Sequence, residues 1–155
     1  VPYIKQEDRE FYDNVITLFQ LKLVTKKGFH DEINMLVNHV RRLGDMAQDG
    51  HMNYFITKFL LQSNVLELPY FVFQETEAVL RPVLLEIITE VYSPPKYYRY
   101  NRAIGMLECC RLEFERRYST KAVLAYIMLD KIINLFYKEI IGPYEDEKIE
   151  ENGDV

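Results

Sequence analysis

Hydrophobic and polar positions repeat with a helical period along almost the whole chain. From Glu7 to about Lys26, Phe11, Val15, Leu18, Phe19 and Leu23 form one apolar stripe, the recurrence of an amphipathic helix. Lys26-Lys27-Gly28 predicts its end, with Gly28 suited to close it. A second stripe, Ile33, Leu36, Val37, Val40, Leu43 and Ala47, predicts a helix starting near Asp31, whose carboxylate suits a first turn. Asp49-Gly50 predicts the stop. Met52, Phe55, Ile56, Phe59 and Leu60 then carry a third helix.

From Pro69 to Tyr92 the apolar positions are Val72, Val79, Leu80, Val83, Leu84, Ile87, Ile88 and Val91. Pro82 sits among them and predicts a break or kink, because it lacks a donor and disfavours a helical Arg81. Ser93-Pro94-Pro95-Lys96 reads as a linker. Tyr100, Ile104, Leu107, Cys110, Phe114 and Tyr118 predict a helix over 97–118. The last helix, Thr120 to Ile141, is apolar on two flanks: Leu124, Met128 and Leu135 on one, Tyr126, Leu129, Ile133, Phe136 and Ile140 on the other. A helix of that kind is either central in the fold or shared with another chain. Gly142-Pro143 predicts its end. No run alternates with period two. The expectation is all-α: a single compact bundle of five to seven helices over 1–143, followed by an acidic tail over 144–155.

Composition narrows the class. At 155 residues the chain can bury one core without metals or disulfides. Cys109 and Cys110 are adjacent, and neighbouring helical side chains diverge by about 100°. With no third cysteine, neither a disulfide framework nor a zinc site is expected, which suits a reducing cytoplasm. The first residues show no apolar leader, and no apolar run nears the roughly 18–20 residues that span a bilayer. Of the 24 acids, six lie in 144–155 against one of the 19 bases, so the other 18 acids and 18 bases balance. A neutral body with an acidic tail draws neither nucleic acid nor anionic membrane.

Candidate chemistry is sparse. Asn53 and Thr57 share a helix face, and Asn101 and Glu108 lie two turns apart on another. These groups suit either a buried network fixing helix register or a small-ligand pocket, and the sequence leaves both open. The stretch 94–102 interleaves Lys96, Arg99 and Arg102 with Tyr97, Tyr98 and Tyr100, the pattern that stacks bases and holds phosphates. It is short and the body is neutral, so tyrosines covering a helix start explain it better. There is no Gly-rich phosphate loop, and His30, His39 and His51 have no Cys or acid partners at ligand spacing. Acid pairs three apart, as in all-α magnesium-dependent nucleotide pyrophosphohydrolases, occur at Glu7/Glu10, Glu147/Glu150 and Glu151/Asp154. All sit at the charged chain ends. Glu86 and Glu90 lack a second motif. Arg111 beside the cysteines is no strong activator, and Glu113 with Arg117 makes an i,i+4 pair.

Four stretches carry a resemblance: 2–9 (PYIKQEDR), 50–61 (GHMNYFITKFLL), 100–117 (YNRAIGMLECCRLEFERR) and 143–155 (PYEDEKIEENGDV). Together they resemble a family of small proteins of unknown function found in bacteriophage, prophage and microbial genomes. Gly50, Asn53 and Tyr54 match its second motif, Asn101, Gly105, Leu107, Glu108, Glu113, Phe114, Arg116 and Arg117 its third. Tyr144, Glu145, Asp146, Lys148, Glu151, Asn152, Gly153 and Asp154 match its tail. His51-Met52 replaces the usual Glu-Leu, 63–96 is longer than usual, and the helix over 120–141 is inserted before the tail. The resemblance brings no activity. It implies a viral or mobile-element origin, hence a host cytoplasm, and a tail that belongs to the domain.

The resulting expectation is a non-enzymatic phage-type accessory protein acting by binding, with no catalytic residue, metal or cofactor. It pairs with itself through 120–141 and takes a host protein or small ligand through Asn53, Tyr54, Thr57, Arg99, Asn101, Glu108, Arg116 and Arg117. Tyr144, Glu145, Asp146 and Lys148 join that set if the tail folds back, with its acids on Arg116, Arg117 or a basic partner. The alternative is the nucleotide pyrophosphohydrolase.

Overall fold

The computed structural model describes residues 4–25, 28–62, 70–117 and 119–154, and of 24, 25 and 70–77 the backbone alone. Its helices are α1 (Gln6–Thr25), α2 (His30–Arg41), α3 (Asp45–Gln62), α4 (Tyr70–Val91), α5 (Tyr97–Arg117), α6 (Thr120–Phe136) and α7 (Gly142–Asn152). A π turn, Tyr137–Ile141, joins α6 to α7 without interruption. The described residues contain no strand. The fold is all-α.

The apolar stripes meet in one core. Val15 and Phe19 of α1 are buried, with Tyr12 and Ile16 beside them, whereas Leu18 is exposed. Ile33, Leu36, Val37 and Val40 of α2 are all buried, as are Met52, Phe55, Ile56, Phe59 and Leu60 of α3. α5 packs on α3 and α6, α2 on α4, and α1 on α2 and α3. α6 is central: seven of its residues, from Ala122 to Phe136, are buried against α3, α4 and α5. Val123 and Ile127 are its exposed apolar remainder. Ser119 caps it, its Oγ accepting from the Ala122 N–H at 3.1 Å. Val72 and Tyr118, expected in the core, lie outside the described side chains.

Three expected boundaries are displaced. The second helix ends at Arg41, and α3 begins at Asp45 and runs through Asp49-Gly50. Leu43 and Ala47 therefore leave the α2 stripe. A glycine inside a helix costs roughly 0.5–1 kcal/mol, and polar contacts of Asp45, Gln48 and Asp49 described below offset it. At the actual break the Gln48 amide donates to the Leu43 carbonyl at 3.0 Å.

Pro82 does not break α4. The carbonyl it releases is that of Ala78, and both residues are exposed, so water can serve it while Leu80, Val83, Leu84, Ile87 and Ile88 hold the other face.

Gly142-Pro143 does not end the last helix either. The Gly142 N–H reaches the Tyr137 carbonyl across the wider π turn, and Pro143 has no donor to place, so the ladder changes register and continues. The tail is thus helical to Asn152, where Gly153 at φ 83° closes it.

Candidate functional site

Residues Tyr54, Thr57, Lys58 and Leu61 recur at i, i+3, i+4 and i+7 on α3 and present one face. Arg9 from α1 and Arg117 from the end of α5 reach the same place. With Gln62 they line a hollow of about 340 Å³. Its floor is the buried Tyr54 ring, with the Arg9 guanidinium 5.5 Å and the Lys58 ammonium 5.4 Å from the ring centre. Leu61 supplies an apolar wall.

Each cation is anchored from behind. Lys58 pairs with Asp13 at 2.7 Å and donates to the Tyr54 hydroxyl at 2.9 Å, while that hydroxyl donates to Asp13 at 2.9 Å. Burial opposes the Lys58 charge, but these hydrogen bonds outweigh it and raise its pKa. Arg9 Nε donates to the Ile4 carbonyl at 3.3 Å. Arg117 Nε donates to Glu113 at 2.8 Å, and Arg116 holds the same carboxylate at 2.7 and 3.2 Å. Glu113 is only 4% exposed, yet hydrogen bonding from Arg116, and then from Arg117, pushes it down to about 2 against its burial. It stays ionised in all ordinary conditions.

Among the described residues, the terminal nitrogens of Arg9 and Arg117 make no hydrogen bond. Three cations therefore face a hollow with two carboxylates behind them, a donor array suited to a carboxylate, phosphate or sulfate group.

Of the anticipated residues, Tyr54, Thr57 and Arg117 come together here. Asn53 lies one step deeper; its amide donates to the Met106 carbonyl at 3.5 Å and its oxygen accepts from Thr57 at 3.4 Å. The expected network with Asn101 and Glu108 is not formed. Asn101 is exposed, and both Glu108 oxygens accept from Nη2 of Arg111, at 2.6 and 2.8 Å, while Nη1 of Arg111 donates to Asp130 of α6 at 2.9 Å. Arg99 lies over the Tyr98 ring at 5.1 Å.

In the tail, Tyr144 stands edge-on to Tyr100 with ring centres 5.1 Å apart, and Lys148 sits over its ring. Glu145 and Asp146 are exposed, and Arg116 and Arg117 turn to Glu113 instead. No basic patch is needed to order this segment; helix continuity and one tyrosine do it.

Sequence reasoning missed three features. Arg9 and Lys58 gave no signal, because nothing local links residues some fifty positions apart. Arg102 was grouped with the tyrosines of 97–100 but is committed elsewhere. Its guanidinium bonds Asp49, Gln48 and the Asp45 carbonyl at 2.9–3.2 Å, pairs with the Asp45 carboxylate, and lies 5.3 Å from the Tyr92 ring. The Tyr92 hydroxyl donates to Asp49 at 2.8 Å. Lastly, His51 does have partners, Tyr12 and Asp8, though neither is near it in sequence.

Other chemistry is thin. Cys110 is buried and its thiol is pushed up to about 12 by that burial, while Cys109 is exposed. Glu7, Glu10, Glu147, Glu150, Glu151 and Asp154 are all exposed. Among the described residues, no three His, Cys, Asp or Glu side chains are grouped to hold a metal ion. No described helix is long and apolar enough to cross a membrane. A second hollow of about 510 Å³ lies along α2, lined by Asn34, Asn38, Arg41 and Arg42. There Arg41 is tied to Ser93 at 2.9 Å and Glu90 adds a negative charge, so the excess of cations is smaller.

The family model described as Domain of unknown function (DUF6899) matches residues 1–155. The chain belongs to that family. No curated protein and no solved structure matches it. The DUF6899 match runs through residues 144–155, so α7 falls within the family's domain.

Proposed function

We propose that this DUF6899 domain acts by binding, as a non-enzymatic accessory protein of phage type, and that it takes an anionic group of a small ligand or host protein between α1, α3 and α5. The convergence of Arg9, Lys58 and Arg117 on one hollow, in a chain of net charge −5, carries this reading. The hollow offers donors and one apolar wall. The buried acid behind it, Glu113, is too strongly held to serve as a base near neutral pH. The phage association rests on the resemblance alone. Self-association through 120–141 has narrower support, because α6 spends most of its apolar surface inside the fold and leaves Val123 and Ile127.

Titration with sulfate, followed by the backbone amide NMR signals of Thr57 and Lys58, tests the site. Arg117→Gln is expected to weaken binding about tenfold, the loss of one charge-assisted contact. It leaves the fold intact, since Arg116 still holds Glu113. Equal affinity in the variant and the wild type overturns the assignment. Turnover of nucleoside triphosphates with magnesium replaces it by the pyrophosphohydrolase.

A further inference from the structure

Behind the anion hollow, two histidines clamp the same stretch of α1. His51 of α3 is buried, and its Nδ1 lies 2.7 Å from the hydroxyl of Tyr12, a side chain with no exposed surface. Its Nε2 faces Asp8 at 3.9 Å, beyond hydrogen-bonding range. His39 of α2 stacks on Phe11 with ring centres 3.9 Å apart and meets Tyr12 edge-on at 5.7 Å. Phe11 and Tyr12 lie between Arg9, which lines the hollow, and Asp13, which anchors Lys58. Tyr12 also packs against the floor of the hollow, its ring centre 6.1 Å from that of Tyr54.

We propose that His51 and Tyr12 form a proton-sensitive latch that seats α1 and so completes the anion hollow, with acid releasing the bound anion. This inference rests on the binding reading above. The neutral imidazole accepts the Tyr12 proton at Nδ1. A proton placed on Nδ1 removes that acceptor and leaves the Tyr12 O–H buried, with no other partner among the described residues. The groups facing His51 are Asp8 and Tyr12 from α1 and His39 from α2, with Arg42 beyond His39. Burial disfavours the imidazolium most, His39 adds to this and Asp8 opposes it, so His51 titrates below its ordinary value of 6.5. His39 is lowered too, by burial and then Arg42, against Asp8. Burial keeps the Tyr12 hydroxyl protonated. Glu113, at about 2, does not titrate in the same range, so the Arg117 anchor is unaffected.

Sulfate is the probe, because its charge is constant near neutral pH. Wild type is expected to lose about fivefold in sulfate affinity between about pH 7.5 and 5.5, the window in which a histidine changes charge. His51→Gln keeps an oxygen that accepts from Tyr12 but takes up no proton, and is expected to bind alike at both values. A wild-type drop in that variant overturns the latch, as does loss of the drop in His39→Gln. If His51→Gln does not fold, Tyr12→Phe removes the hydroxyl that protonation would orphan, and again a retained drop overturns the proposal. Failure of the wild type to bind sulfate at pH 7.5 sinks the binding site instead. The latch is then read from hydrogen-exchange protection, taken relative to the intrinsic amide rate at each pH, which is expected to fall in α1 at pH 5.5 in wild type and not in His51→Gln. Unchanged α1 protection overturns it whatever sulfate does.

Discussion

Arg102 and Arg117 sit near opposite ends of α5, and both meet carboxylates, but in opposite ways. The Arg102 side chain is 15% exposed; its Nε and Nη2 bond Asp49, Gln48 and the Asp45 carbonyl, Nη1 faces the Asp45 carboxylate at 3.2 Å, and Tyr92 lies beneath. The Arg117 side chain is 39% exposed, held to Glu113 by its Nε, and turns its outer nitrogens to a hollow. The first geometry fastens α5 to α3 and to the residue that follows α4. The second fixes the stem of an arginine and leaves its head available. Burial and donor use, rather than the presence of a salt bridge, separate an arginine committed to the fold from one whose head stays available.

The comparison can be broken most sharply at Arg102. Arg102→Met is expected to cost about 3 kcal/mol in urea unfolding, as for removal of the buried member of a partly exposed ion cluster that also leaves Gln48 and Asp49 without their donor, with sulfate binding unchanged. A loss below about 1 kcal/mol would make the cluster ornamental. Glu113→Gln comes next, at about 2 kcal/mol near neutral pH after allowing for its exposed arginine partners. The folded pKa of Glu113, about 2, lies below its ordinary 4.5, so its contribution is full above 4.5 and fades as pH falls toward 2. Unfolding midpoints across that interval should therefore slope in the wild type and flatten in the variant; parallel slopes refute the assignment. The smallest effect belongs to α7, where Lys148 and Glu151 pair at 3.4 Å in the open. Glu151→Gln should leave Tm unchanged within error, and a clear drop would mean that α7 is held by more than Tyr144.

Periodicity was enough to read the helices and most of the core, because burial on one face writes a 3.6-residue repeat into the chain. It misplaced the boundaries where a local signal was overruled. Gly50 lies in α3 because Asp49 and Gln48 are bonded to Arg102 fifty residues away. Pro82 is tolerated because Ala78 faces water. Gly142-Pro143 is absorbed by a π turn. The site was legible only in part: Tyr54, Thr57 and Arg117 were singled out as motif matches or as neighbours of one on a helix face. Arg9, Lys58 and the His51–Tyr12 contact depend on how α1 lies against α3, which no spacing within either helix records. Asn101 and Glu108 share a helix face as expected, but that face looks outward.

The unbroken run from α6 through the π turn into α7 counts seventeen, five and eleven residues, about 50 Å of rod at 1.5 Å per residue. α7 buries no residue, and with the residues after it carries the whole net charge of the chain at one tip. The molecule is therefore an electric dipole more than a uniformly charged particle. Colloidal repulsion between copies comes from that tip alone, and near a cationic surface the protein should align tip-first before any specific contact forms.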